Sequence, residues 1–146
     1  MRFHARALMG VLLAAGLGAA CSRPEATSTA SPPPATQSAV RVTEVDLGLG
    51  VGPDKRVTDR TDSFSPSETV YVSVATEGAA PSATLKARWI YEDGQVVQES
   101  SQTIAPTGPA VTEFHVSNPA GWPKGSYKVE VSLNGTPAET ETFKVG

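Results

Sequence analysis

Cysteine and histidine carry much of the chemistry of small proteins, and this chain has little of either. It contains one cysteine, Cys21, and two histidines, of which only His115 lies beyond the N-terminal segment. A lone histidine cannot build a zinc site, which needs three or four protein ligands. Serines are plentiful, but none sits in a Gly-x-Ser-x-Gly elbow that would present it to His115 as a nucleophile. Phe114 and Val116 claim the apolar face around His115, so alternation sends the imidazole to solvent.

Carboxylates are the next candidates. Glu44, Asp46, Asp54, Asp59 and Asp62 crowd one stretch, where paired acids would suit glycoside hydrolysis or calcium. Lys55, Arg56 and Arg60 interleave with them and no Asp-x-Asp-x-Asp pattern appears, so local ion pairs are expected instead. Two aromatics are possible ligand or partner contacts: Trp122, in a Gly- and Pro-flanked corner, and Tyr71, out of phase with the apolar residues around it. The corner position also suits a Trp122 that caps the core. No metal, cofactor or catalytic residue is expected, and the reading is of a protein that is not an enzyme.

The N-terminus is more specific. Arg2 and Arg6 precede an apolar or small run over residues 7–20, the form of a secretory signal and too short to span a bilayer. It ends Leu17-Gly18-Ala19-Ala20-Cys21, which resembles the lipobox of bacterial lipoproteins. The departure is Gly18 where leucine is preferred, with Leu17 one place further out. The resemblance implies cleavage before Cys21, a diacylglycerol on its thiol and, usually, an acyl chain on its new amine. Gly18-Ala19-Ala20 also fits a general signal peptidase, which would leave Cys21 a free thiol. An unpaired thiol is a liability in an oxidising compartment, so lipidation is the expectation. Ser22 stands where, by resemblance to Gram-negative lipoproteins, an aspartate would hold the protein at the inner membrane. Attachment to the outer membrane is therefore expected.

Residues 22–39 are almost wholly Ser, Thr, Ala and Pro, with Pro32-Pro33-Pro34 among them. Such a segment buries too little to offset its ordering entropy, so a tether is expected, about 24 Å from end to end as a coil. The formal net charge is −3, and −5 once Arg2 and Arg6 leave with a cleaved leader. That disfavours nucleic acid as a partner. The expected partners are the membrane, through Cys21, and a protein of the cell envelope.

From Val40 onward the hydrophobic period is two. Val70, Val72 and Val74 alternate with Tyr71 and Ser73; Leu85, Ala87 and Trp89 do likewise, as do Tyr127, Val129 and Val131. Seven strands are expected, at about 40–47, 69–76, 83–92, 95–104, 111–117, 126–133 and 137–145. Asp93-Gly94 and Asn134-Gly135 both suit type I′ hairpin turns. Residues 48–68 form a long connection, pinned by Phe64, and its first part, from Gly48 to Asp62, is the candidate protruding loop. Glu139 and Glu141 mark the last strand as a charge-protected edge.

This arrangement resembles the immunoglobulin-like fold, an antiparallel β-sandwich over residues 40–146. Trp89 falls midway along the third strand, where that family buries a tryptophan. Tyr127, after Gly121-Trp122-Pro123-Lys124-Gly125, resembles the family's tyrosine corner. The disulfide positions correspond to Val72 and Val129, as in disulfide-free bacterial and fibronectin-type relatives. The functional expectation is a non-catalytic envelope lipoprotein whose sandwich is an interaction or structural module. A glycan-binding or small-ligand protein and a protease inhibitor are the alternatives.

Overall fold

Val70, Val72 and Val74 are fully buried while Tyr71 and Ala75, at the alternate positions, are partly exposed, so the period-two pattern translates directly into one covered sheet face. The computed structural model describes residues 39–146. Its strands are β1 (Arg41–Gly48), β2 (Ser63–Phe64), β3 (Val70–Glu77), β4 (Ala83–Tyr91), β5 (Val96–Ile104), β6 (Ala110–Val116), β7 (Gly125–Leu133) and β8 (Thr136–Val145). They form two sheets, ordered β1-β3-β6 and β2-β8-β7-β4-β5. The protein is an all-β, immunoglobulin-like sandwich.

The seven expected strands appear with ends shifted by about one residue, as end-fraying allows. The addition is β2, which pairs in parallel with the end of β8 through Ser63 with Lys144 and Phe64 with Val145. This pairing holds Phe64 in the core, edge-on to Phe143 at 5.4 Å.

The core lies between the sheets. Val45, Leu47, Phe114 and the β3 valines meet Leu85, Trp89, Val129, Val131 and Phe143. Trp89 is fully buried, and its indole Nε1 has no hydrogen-bond partner. Val72 and Val129, where a disulfide would stand in antibody-like domains, are both fully buried.

One turn differs from expectation. Asn134 and Gly135 both have positive φ, 51° and 82°, as type I′ requires. At the other hairpin only Gly94 does, at 87°. Gly94 N donates to Tyr91 O, Tyr91 N donates to Gln95 O, and Gln95 N donates to the Asp93 carboxylate at 2.8 Å. That is a three-residue loop, with Asp93 accepting a local side-chain bond and glycine alone taking the left-handed position.

The connection after β1 is ordered. Leu49 N donates to Asp59 O, Thr58 N to Gly50 O, Gly52 N to Arg56 O and Thr61 N to Leu47 O. Residues 47–61 therefore form a hairpin arm turning at Pro53, Asp54 and Lys55. It folds over the outside of the smaller sheet, where Val57 N reaches Ser73 Oγ at 3.4 Å. Ser73 faces outward yet is only 3% exposed for this reason. Gly48 makes the approach possible: a Cβ there would lie 2.2 Å from Asp59 O and 2.3 Å from Val57 Cγ1.

Candidate functional site

Of the residues the sequence singles out, Trp122 is the most changed by the structure. It is 5% exposed, its ring meets Tyr127 edge-on at 5.6 Å, and its Nε1 donates to Glu68 O at 3.0 Å. Its own amide donates to Pro66 O at 2.7 Å. The β6–β7 corner folds the indole inward, where its apolar surface and its one donor are both satisfied, the core-capping place that the corner position also suits. Tyr127 donates its hydroxyl to Pro123 O at 2.7 Å, the back-bond of a tyrosine corner. Burial pushes the Tyr127 pKa up, with the nearby Tyr91 and Glu92 adding to the rise.

Tyr71 stays half-exposed on the outside of β3. Its register partner on β6 is His115, with ring centroids 5.5 Å apart. His115 is exposed, as alternation predicts, and its Nδ1 lies 2.6 Å from Glu113 Oε1. Tyr71 and Trp122 thus belong to different surfaces and frame no common pocket.

The acids resolve into ion pairs and turn contacts. Arg60 Nη2 lies 2.7 Å from Asp46 Oδ2 and 3.3 Å from Glu44 Oε1, and Arg56 adds a 3.5 Å contact to Glu44. Asp54 accepts from Arg56 N inside the arm's turn. Asp62 holds β2 beside β8 by accepting Lys144 N at its carbonyl. Asp46 and Glu141 share a shallow groove with Arg60 and Asp62. Burial pushes Asp46 above the usual carboxylate range, with Arg60 pulling it back. Burial also raises Glu141, helped by the Glu139 and Asp46 charges. Among the described residues no three His, Cys, Asp or Glu side chains group to hold a metal.

Cys21, the leader over 1–20 and all of the tether but Ala39 lie outside the described residues. The candidate loop 48–62 is a hairpin lying on β3, with Leu49 42% exposed along it.

Sequence reasoning missed the surface along β5. Gln98, Ser100 and Gln102 pair with the inward-facing Trp89, Ala87 and Leu85 of β4, yet Gln98 and Gln102 are exposed and Ser100 is only half-buried. The five-stranded sheet overhangs the three-stranded one there, and Gln102 Nε2 reaches across to Glu113 O of β6 at 2.6 Å. A cleft of about 380 Å³ opens beside the start of β5, lined by Val96, Val97, Gln98, Val116 and Trp122. The available signal was Gln98-Glu99-Ser100-Ser101-Gln102-Thr103, a strand segment polar on both faces.

On the outer face Glu99 is held by Lys86 at 3.1 Å and Arg88 at 3.3 Å. Glu130 continues the ladder, with Lys128 at 2.8 Å.

No family model matches the chain, and no curated protein matches it. Solved structures do. An immunoglobulin-like protein from Pseudomonas aeruginosa is 15% identical with a TM-score of 0.50, over 76% of this chain and 99% of that one. The Pseudomonas fluorescens alkylpurine DNA glycosylase AlkC, bound to DNA containing an abasic site analog, is 13% identical with a TM-score of 0.50. That match covers 73% of this chain, which spans 30% of the glycosylase. Likeness at this level shows the fold alone.

Proposed function

We propose that this chain is a non-catalytic cell-envelope lipoprotein, anchored by lipid at Cys21 to the outer membrane, whose immunoglobulin-like sandwich is an interaction module. The observation that carries the non-catalytic part is where the reactive groups are used. Trp122 and Tyr127 close the core, and the clustered acids hold the arm to β1 through Arg56 and Arg60. The anchor rests on the lipobox-like Leu17-Gly18-Ala19-Ala20-Cys21 and on the tether composition that follows it.

The test is membrane fractionation of wild type and Cys21→Ser, with mass spectrometry of the N-terminus. Wild type is expected in the membrane fraction with an acylated Cys21, and the variant in the soluble fraction. A wild-type N-terminus without acyl mass refutes the anchor. Cross-linking of the anchored chain in intact cells tests the module, and recovery of no protein partner counts against it. The cleft beside β5 favours a second reading, a small-ligand or glycan site floored by Trp122. Tryptophan emission unchanged across cell-wall sugars eliminates that reading.

A further inference from the structure

The two outer edges of the larger sheet are built differently. β8 carries Pro137, Glu139 and Glu141, shifts register between Val131 and Ser132, and has its end covered by β2. These are devices that discourage strand addition. β5 also shifts register, between Trp89 and Ile90, but it has no covering strand and no proline, and its nine residues carry one charged side chain, Glu99. Val96 and Val97, two of the three exposed large hydrophobics among the described residues, are also on it at 39% and 38%.

The β5 sequence is close to self-complementary about Ser100. In an antiparallel pairing of two copies centred there, Ser100 meets Ser100, Gln98 meets Gln102 and Glu99 meets Ser101. At the ends Val96 meets Ile104. Residues directly opposite in such a pair share a face, so the glutamine amides line the inner side and Glu99 and Ser101 the outer. Register with β4 then gives the cross-strand order. Lys86 is level with Ser101 and Arg88 with Glu99, so one row runs Lys86, Ser101, partner Glu99, partner Arg88. Each glutamate already has its own Lys86 and Arg88, and in the pair it lies opposite the other copy's small Ser101, with that copy's Lys86 next in the row. The register shift between Trp89 and Ile90, which leaves Val97 unpaired with β4, confines the regular part of the pair to residues 98–102, with Val96 and Ile104 beyond it.

We propose that β5 is a self-association edge, through which two copies join their larger sheets antiparallel about Ser100. This deepens the interaction-module reading and rests on it, but it does not require the lipid. The contact is isologous, so it closes at two copies. An edge of this length buries less than the roughly 1,200 Å² of a stable complex, so dissociation on the order of 1–100 μM is expected.

The test is sedimentation of the secreted full chain carrying Cys21→Ser, so that neither lipid nor the native thiol contributes. A reversible monomer–dimer equilibrium is expected. Ser101→Glu places two like charges opposite each other twice and is expected to weaken the dimer roughly tenfold. Ser101→Lys meets Glu99 instead and is expected to tighten it. In the same background, Ser100→Cys is expected to form a disulfide dimer, since opposed Cα atoms lie roughly 4.5–5.5 Å apart. A chain that stays monomeric to about 1 mM overturns the proposal, as do equal effects of Ser101→Glu and Ser101→Lys. So does a monomer that captures another protein's extended peptide on β5. None of these results bears on acylation, and an unacylated Cys21 leaves the sedimentation result standing.

Discussion

Trp122→Ala separates a core tryptophan from a contact tryptophan more sharply than any other substitution here. The indole is 5% exposed, and a buried tryptophan removes about 200 Å² from water. At about 25 cal/mol per Å² the lost burial approaches 5 kcal/mol, an upper figure because unfolded chains already hide some surface. Measured Trp→Ala truncations in cores fall at about 3–5 kcal/mol. The Nε1 bond to Glu68 O goes as well, although the Trp122 amide bond to Pro66 O remains. The expected loss is therefore about 3–5 kcal/mol, a large share of the roughly 5–15 kcal/mol that domains possess. Urea unfolding followed by far-UV circular dichroism measures it, and Trp89 emission provides a second probe. Trp122→Phe keeps most of the ring burial and is expected to lose about 1–2 kcal/mol, chiefly through the unpaired carbonyl. A loss under about 1 kcal/mol for Trp122→Ala would refute the reasoning, because only a solvent-facing indole is so dispensable.

Three other outcomes are expected. Gly48→Ala drives a methyl into Asp59 O and Val57 Cγ1, so the arm should lift at a cost of about 1–3 kcal/mol. Hydrogen exchange should then lose protection at Leu49 and Thr58 while the β4 and β7 amides keep theirs. Tyr127→Phe removes the donor to Pro123 O while leaving the ring stacked on Phe143 at 5.1 Å. It should lower stability by about 1–2 kcal/mol, or roughly 5–15 °C in Tm by calorimetry. Glu141 has a pKa raised by burial and then by Glu139 and Asp46, so the folded chain holds that proton more tightly than the unfolded chain. Its contribution is present below the ordinary glutamate pKa and is lost as pH rises through the raised value. Glu141→Gln should accordingly raise Tm at neutral pH and change it little in acid.

What could be read from the chain was what neighbouring residues settle between themselves. A strand turns successive side chains to opposite faces, so Val70, Val72, Val74, Leu85, Trp89, Val129 and Val131 were legible as core without a fold. Asn134-Gly135 was legible as a turn because few pairs accept two positive φ angles.

The remaining features depended on which strands share a sheet, and that is set by pairing across long separations. Three strands facing five leave β5 uncovered on its inner side, which no local pattern in Val96–Ile104 reveals. The arm looks like a loop in the sequence because glycines, a proline and charges over 48–62 mask alternation. Its order comes from hydrogen bonds between its own two limbs and from Val57 lying on Ser73. Trp122 was ambiguous for the same reason. Its burial follows from Pro66 and Glu68, more than fifty residues earlier, which accept its two N–H groups once β3 has brought them alongside the β6–β7 corner.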